Sequence, residues 1–64
     1  MKLEMFLKVE SVLDKSIPSN IVTFALDGYS AELNQASLAL DIRGDDLTKK
    51  FGPGQRFKVT LEEA

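Results

Sequence analysis

The 64-residue chain predicts an all-β fold: a small antiparallel barrel or sheet of four or five strands, with one short helical turn before the last strand. Three observations carry this reading. Residues 2–10 and 56–62 alternate polar and apolar side chains, the period-two signature of half-buried strands. A β-branched and aromatic run at 21–26 leads into Asp27-Gly28, a strong hairpin signal. Finally, Gly52-Pro53-Gly54 separates the one helix-like stretch from the closing strand, because glycine and proline cannot continue a helix.

In the first strand Leu3, Met5, Leu7 and Val9 share one face, and Lys2, Glu4, Lys8 and Glu10 share the other. Phe6 stands among the charges. The alternation slips phase at Ser11-Val12, which marks a bulge or the end of the strand. Residues 14–20, with a proline, two serines and an asparagine, read as the longest clear loop.

A two-residue turn at Asp27-Gly28 would pair Leu26 with Tyr29, Phe24 with Ala31 and Val22 with Leu33, so that all six lie on one face. A second turn at Asn34-Gln35 would pair Leu33 with Ala36, Ala31 with Leu38 and Tyr29 with Leu40, with Ile42 continuing the face. The competing reading makes residues 27–36 an irregular loop and leaves four strands instead of five. Arg43-Gly44 ends that strand. Asp45 or Asp46 is then placed to cap a short helix through Lys50, with Leu47 and Phe51 on its inner side. In the last strand Phe57, Val59 and Leu61 point inward, and Arg56, Lys58, Thr60 and Glu62 outward. The order strand, long loop, three-strand meander, helical turn, strand matches a Src-homology-3-like barrel. An oligonucleotide/oligosaccharide-binding barrel, whose helix falls earlier, is the alternative. The whole chain, 1–64, reads as a single domain.

Composition excludes several kinds of function. With no cysteine there is no disulfide framework, thiol nucleophile or thiolate metal site, and with no histidine the commonest general base and transition-metal ligand are missing. No apolar run approaches the roughly 20 residues of a membrane helix. Met1-Lys2-Leu3-Glu4 does not open a signal peptide's apolar stretch, so the expectation is a soluble, cytoplasmic protein that makes no membrane contact. A domain this small, without disulfide or metal, gains from association with a second copy, so a homo-oligomer is expected.

Candidate functional residues are few. Asp41, Asp45 and Asp46 are the tightest acidic cluster, but their spacing fits no cation-binding loop and the helix cap accounts for the latter two. Arg43-Gly44-Asp45 spells an integrin-type tripeptide, but Gly44 is explained as a strand terminator. Gly52-Pro53-Gly54 lacks the spacing of a phosphate-binding loop and is read as a turn. No catalytic residue, cofactor site or metal site is assigned, and the chain is read as a non-enzyme. Two features remain. Lys49, Lys50, Arg56 and Lys58 put four positive charges and no negative one into residues 49–58, against a net charge of −4 over residues 1–48. Such a patch suits single-stranded nucleic acid, where phosphates meet cations and bases stack on rings. Phe57, Phe51 and Tyr29 have inward parity, however, which leaves Phe6 as the one outward ring and a candidate subunit contact.

The pattern Leu38-Ala-Leu-Asp-Ile-Arg-Gly through Phe51-Gly-Pro-Gly-Gln-Arg-Phe-Lys-Val-Thr-Leu, with the opening strand Phe6-Leu-Lys-Val-Glu-Ser-Val12, resembles small uncharacterised β proteins encoded by phages and prophages. The resemblance covers roughly the first dozen and last twenty-five residues, and this chain departs from it in a shorter middle that contains Asp-Gly. It implies an accessory product of a phage or mobile element, located in the host cytoplasm and acting by binding; no residue role carries over. The sequence therefore favours a binding or structural module that works through protein–protein contacts and self-association. A nucleic-acid-binding small barrel using Lys49, Lys50, Arg56 and Lys58 is the alternative.

Overall fold

The computed structural model describes residues 1–14 and 19–64. In chain order these form β1 (Lys2–Asp14), β2 (Ser19–Leu26), β3 (Ser37–Arg43), α1 (Asp45–Thr48) and β4 (Arg56–Glu62). The four strands make one antiparallel sheet in the order β3-β2-β1-β4, curled into a half-barrel, with the helical turn before the last strand. β1, the longest strand, lies between β2 and β4, so the first and last strands of the chain are neighbours.

The alternation places one apolar face across all four strands. Leu3, Met5 and Leu7 stand opposite Leu61, Val59 and Phe57. On the other side, Leu7 and Val9 stand opposite Leu26 and Phe24. Phe24 and Val22 in turn face Leu38 and Leu40. The buried hydrophobic residues are Met5, Leu7, Val9, Val22, Phe24 and Ile42. Phe24, Phe51 and Phe57 close one end of the curl. Phe24 meets each of the other two edge-on at 5.9 Å, and Phe51 and Phe57 lie 5.4 Å apart.

The phase slip in β1 is a bulge, between Val9 and Ser11. The strand then continues to Asp14 instead of ending. The bulge coincides with the start of the β4 pairing. Val9 donates its amide to the Gln55 carbonyl and accepts from the Gly54 amide, both at 2.8 Å, so the Gly52-Pro53-Gly54 turn is fastened to it. Of the expected loop at 14–20, Asp14 and Ser19-Asn20 belong to strands, and residues 15–18 lie outside the described residues.

Neither expected hairpin forms. The Asp27 amide bonds to the Phe6 carbonyl at 2.9 Å, extending the β1–β2 ladder, and Gly28, at φ 83°, turns the chain away. Residues 27–36 are irregular, and the free side of β2 is taken by β3. The physical reason is packing. In the observed register Phe24 faces Leu38, a larger aliphatic partner than the Ala31 of the hairpin, while Val22 faces a leucine in either arrangement, and the strand gains Ile42 opposite Asn20. Tyr29, expected on the buried face, is 93% exposed as a result.

The helix also differs from expectation. α1 ends at Thr48, its N-cap is Gly44 at φ 98°, and no side chain caps it. Asp45 instead accepts a hydrogen bond from the Asn20 side-chain amide, 3.0 Å away. The inward residue is Thr48, not Leu47, which is exposed. The Asn20 amide reaches the Thr48 hydroxyl at 3.1 Å, and that hydroxyl donates to the Gly44 carbonyl at 3.0 Å. Asn20 and Thr48 are the buried polar residues of the core, and their mutual bonding is what makes their burial tolerable.

Two outcomes are expected in chemical denaturation. Leu7→Ala removes a side chain that is 1% exposed and lowers stability by about 2–5 kcal/mol, whereas Leu61→Ala, at 53% exposure, costs about 1 kcal/mol or less. Asn20→Ala removes the amide that donates to Thr48, leaves the Thr48 hydroxyl with its bond to the Gly44 carbonyl, and costs about 1–3 kcal/mol.

Candidate contact surface

The half-barrel leaves its apolar face incompletely covered. β3 and β4 are the edges of the sheet, and the space between them is an apolar trough of about 220 Å³. Its floor is Leu3, Met5 and Leu7. Leu33, Ala36 and Leu38 form one wall, and Val59 and Leu61 the other. Leu38 and Leu40, which the alternation aims inward, remain 36% and 37% exposed. The 27–36 loop supplies Leu33 and Ala36, which pack against the core. It is held in shape by the Ser30 hydroxyl, which accepts from the Glu32 and Leu33 amides at 3.3 and 3.1 Å.

Among the described residues both edges present unpaired backbone groups, and the ladder phase identifies them. On β4, the Glu63 amide bonds to the Met1 carbonyl and the Val9 amide to the Gln55 carbonyl. The bonded pairs therefore fall on the odd residues of β4, and the N–H and C=O groups of Arg56, Lys58, Thr60 and Glu62 point away from β1. By the same reasoning, from the Leu26 amide bonded to the Ala36 carbonyl, Ser37, Ala39, Asp41 and Arg43 point away from β2.

The structure divides the basic stretch. The Arg56 guanidinium forms an ion pair with Asp27 and lies 4.5 Å from the centroid of the Phe6 ring. Lys58 pairs with Glu4 at 2.7 Å. Lys49 and Lys50 are exposed, in the turn after α1, and make no ion pair among the described residues. Phe6 is outward, as its parity requires, at 45% exposure beneath Arg56. Tyr29 adds a second exposed ring, on the loop.

The acidic cluster is dispersed: Asp41 lies on β3, while Asp45 is bonded to Asn20. Among the described residues no three acidic side chains gather closely enough to hold a metal ion. Arg43-Gly44-Asp45 spans the end of β3 and the start of α1. No helix among the described residues is long and apolar enough to cross a membrane.

No family model, curated protein or solved structure matches the chain. The trough walls were legible in the sequence only as inward-facing residues; that they stay open depends on which strands end up as edges.

Asp27→Asn is expected to release Arg56 while keeping the Asp27 backbone bond to Phe6. Stability falls by about 1 kcal/mol or less, since Arg56 is exposed and Asp27 only half-buried. Arg56 mobility in side-chain NMR relaxation rises.

Proposed function

We propose that the protein is a non-enzymatic contact module that binds extended protein chain, including a second copy of itself, at its open sheet edges. The single observation that carries this reading is the pairing of two unprotected edges with the apolar trough between them. An incoming strand gains backbone hydrogen bonds from the edge and places alternate side chains against leucines. The resemblance to small phage-encoded β proteins, which implies an accessory role through binding in the host cytoplasm, agrees with it. The nucleic-acid reading gains an exposed ring in Tyr29, but two of its four cations, Arg56 and Lys58, are engaged with Asp27 and Glu4.

Titrating isotope-labelled protein with a synthetic peptide of alternating valine and threonine tests the proposal. Amide shifts concentrated on β3 or β4 are expected. A labelled single-stranded oligonucleotide is expected not to bind at about 50 mM salt. An inert peptide together with salt-sensitive oligonucleotide binding would replace this reading with the nucleic-acid one.

A further inference from the structure

We infer that β4 pairs antiparallel with β4 of a second copy, in a register centred on Val59, to give a two-fold dimer with one continuous eight-stranded sheet. This rests on the reading of the edges as contact surfaces and names the edge, the occupant and the register.

The strand Arg56-Phe57-Lys58-Val59-Thr60-Leu61-Glu62 is self-complementary when reversed. With Val59 opposite its copy, Arg56 meets Glu62 at both ends, Lys58 meets Thr60, and Phe57 meets Leu61. Each charge then faces an opposite or a neutral partner. The backbone allows this register independently of the side chains. The outward N–H and C=O groups are those of Arg56, Lys58, Thr60 and Glu62, and the Val59-centred register joins these four only to one another. Four such pairs exchange about eight hydrogen bonds. Side-chain parity is kept as well, so Phe57, Val59 and Leu61 extend the apolar face across the junction and Leu61, 53% exposed in the single chain, is covered by Phe57 of the second copy.

Competing registers do less well. Moving the centre to Lys58 sets that lysine against itself. Moving it to Thr60 retains opposed Lys58 and Glu62, but shortens the overlap to five of the seven strand residues. Full-length pairing of β3 with itself, centred on Leu40, leaves Arg43 opposite Ser37 and Asp41 opposite Ala39, without charge pairing. A β3-to-β4 contact over the full strands sets Arg43 against Arg56, and being heterologous does not close on a two-fold axis.

The test is light scattering from micromolar to millimolar concentration on the wild type and Thr60→Pro. The Thr60 N–H belongs to the free edge, so proline there breaks no β1–β4 bond and blocks only the incoming strand. The wild type is expected to reach twice its 7.1 kDa mass, and Thr60→Pro to remain at 7.1 kDa with an unchanged circular dichroism spectrum. If that variant unfolds, Glu62→Arg replaces it, since it alters no backbone group and opposes two arginines at each end; it too should be monomeric. The chain has no cysteine, so Val59→Cys is a clean probe of register and is expected to cross-link to its copy on oxidation. A wild type that stays at 7.1 kDa overturns the inference, and peptide-induced shifts on β3 or β4 would then leave the broader contact reading standing. A folded Thr60→Pro or Glu62→Arg that still dimerises also overturns it. A Val59→Cys dimer that fails to cross-link overturns the register.

Discussion

A sheet with one apolar face and no second layer can bury that face only by curling on itself, and in a chain this short the curl does not close. Everything distinctive about the molecule follows from that constraint. The strand order β3-β2-β1-β4 places β1 and β2 at the centre, where Leu7, Val9 and Val22 become fully buried. The same order exposes β3 and β4 as edges, with half-covered leucines along the opening between them. Interior packing and the exposed edges are two sides of one distribution of apolar residues.

Two local devices keep the curl in place. The bulge between Val9 and Ser11 bends β1 where β4 begins, and the Gly54 and Gln55 backbone bonds to Val9 hold the closing turn against that bend. At the far end of β2, Asn20 fastens α1 to the sheet through Asp45 and Thr48. A buried amide in a core of six apolar residues is a specific choice, because its bonds fix a geometry that an aliphatic side chain would leave loose.

Much of this was legible in the sequence. The alternation of β1 and β4, the outward Phe6, the helical turn before the last strand and the Gly52-Pro53-Gly54 turn all reflect local chemistry, and local chemistry decides them. The hairpin at Asp27-Gly28 did not form, for a reason that pattern alone hides. Tyr29, Ala31 and Leu33 sort onto one face of β2 as cleanly as Leu38, Leu40 and Ile42 do, so the register test is satisfied twice. The pattern of alternation does not decide between them, and in the structure it is the later strand that pairs with β2. Asn20 and Thr48 were illegible for a related reason: a polar residue in a turn-rich stretch looks solvated until its partner, 28 residues away in sequence, is brought beside it. The basic stretch shows the reverse, since four cations adjacent in sequence are divided in space by the carboxylates of Asp27 and Glu4.

In the proposed dimer the even-numbered backbone groups of β4 form a pairing surface distinct from those that hold the monomer together. Amide hydrogen exchange across a dilution series measures this residue by residue. The amides of Phe57, Val59 and Leu61 should be protected at every concentration, because they bond to β1. Those of Lys58, Thr60 and Glu62 should be protected when concentrated and exchange freely on dilution. If those three exchange as fast as unstructured amides at all concentrations, the β4 edge is not a contact surface between copies.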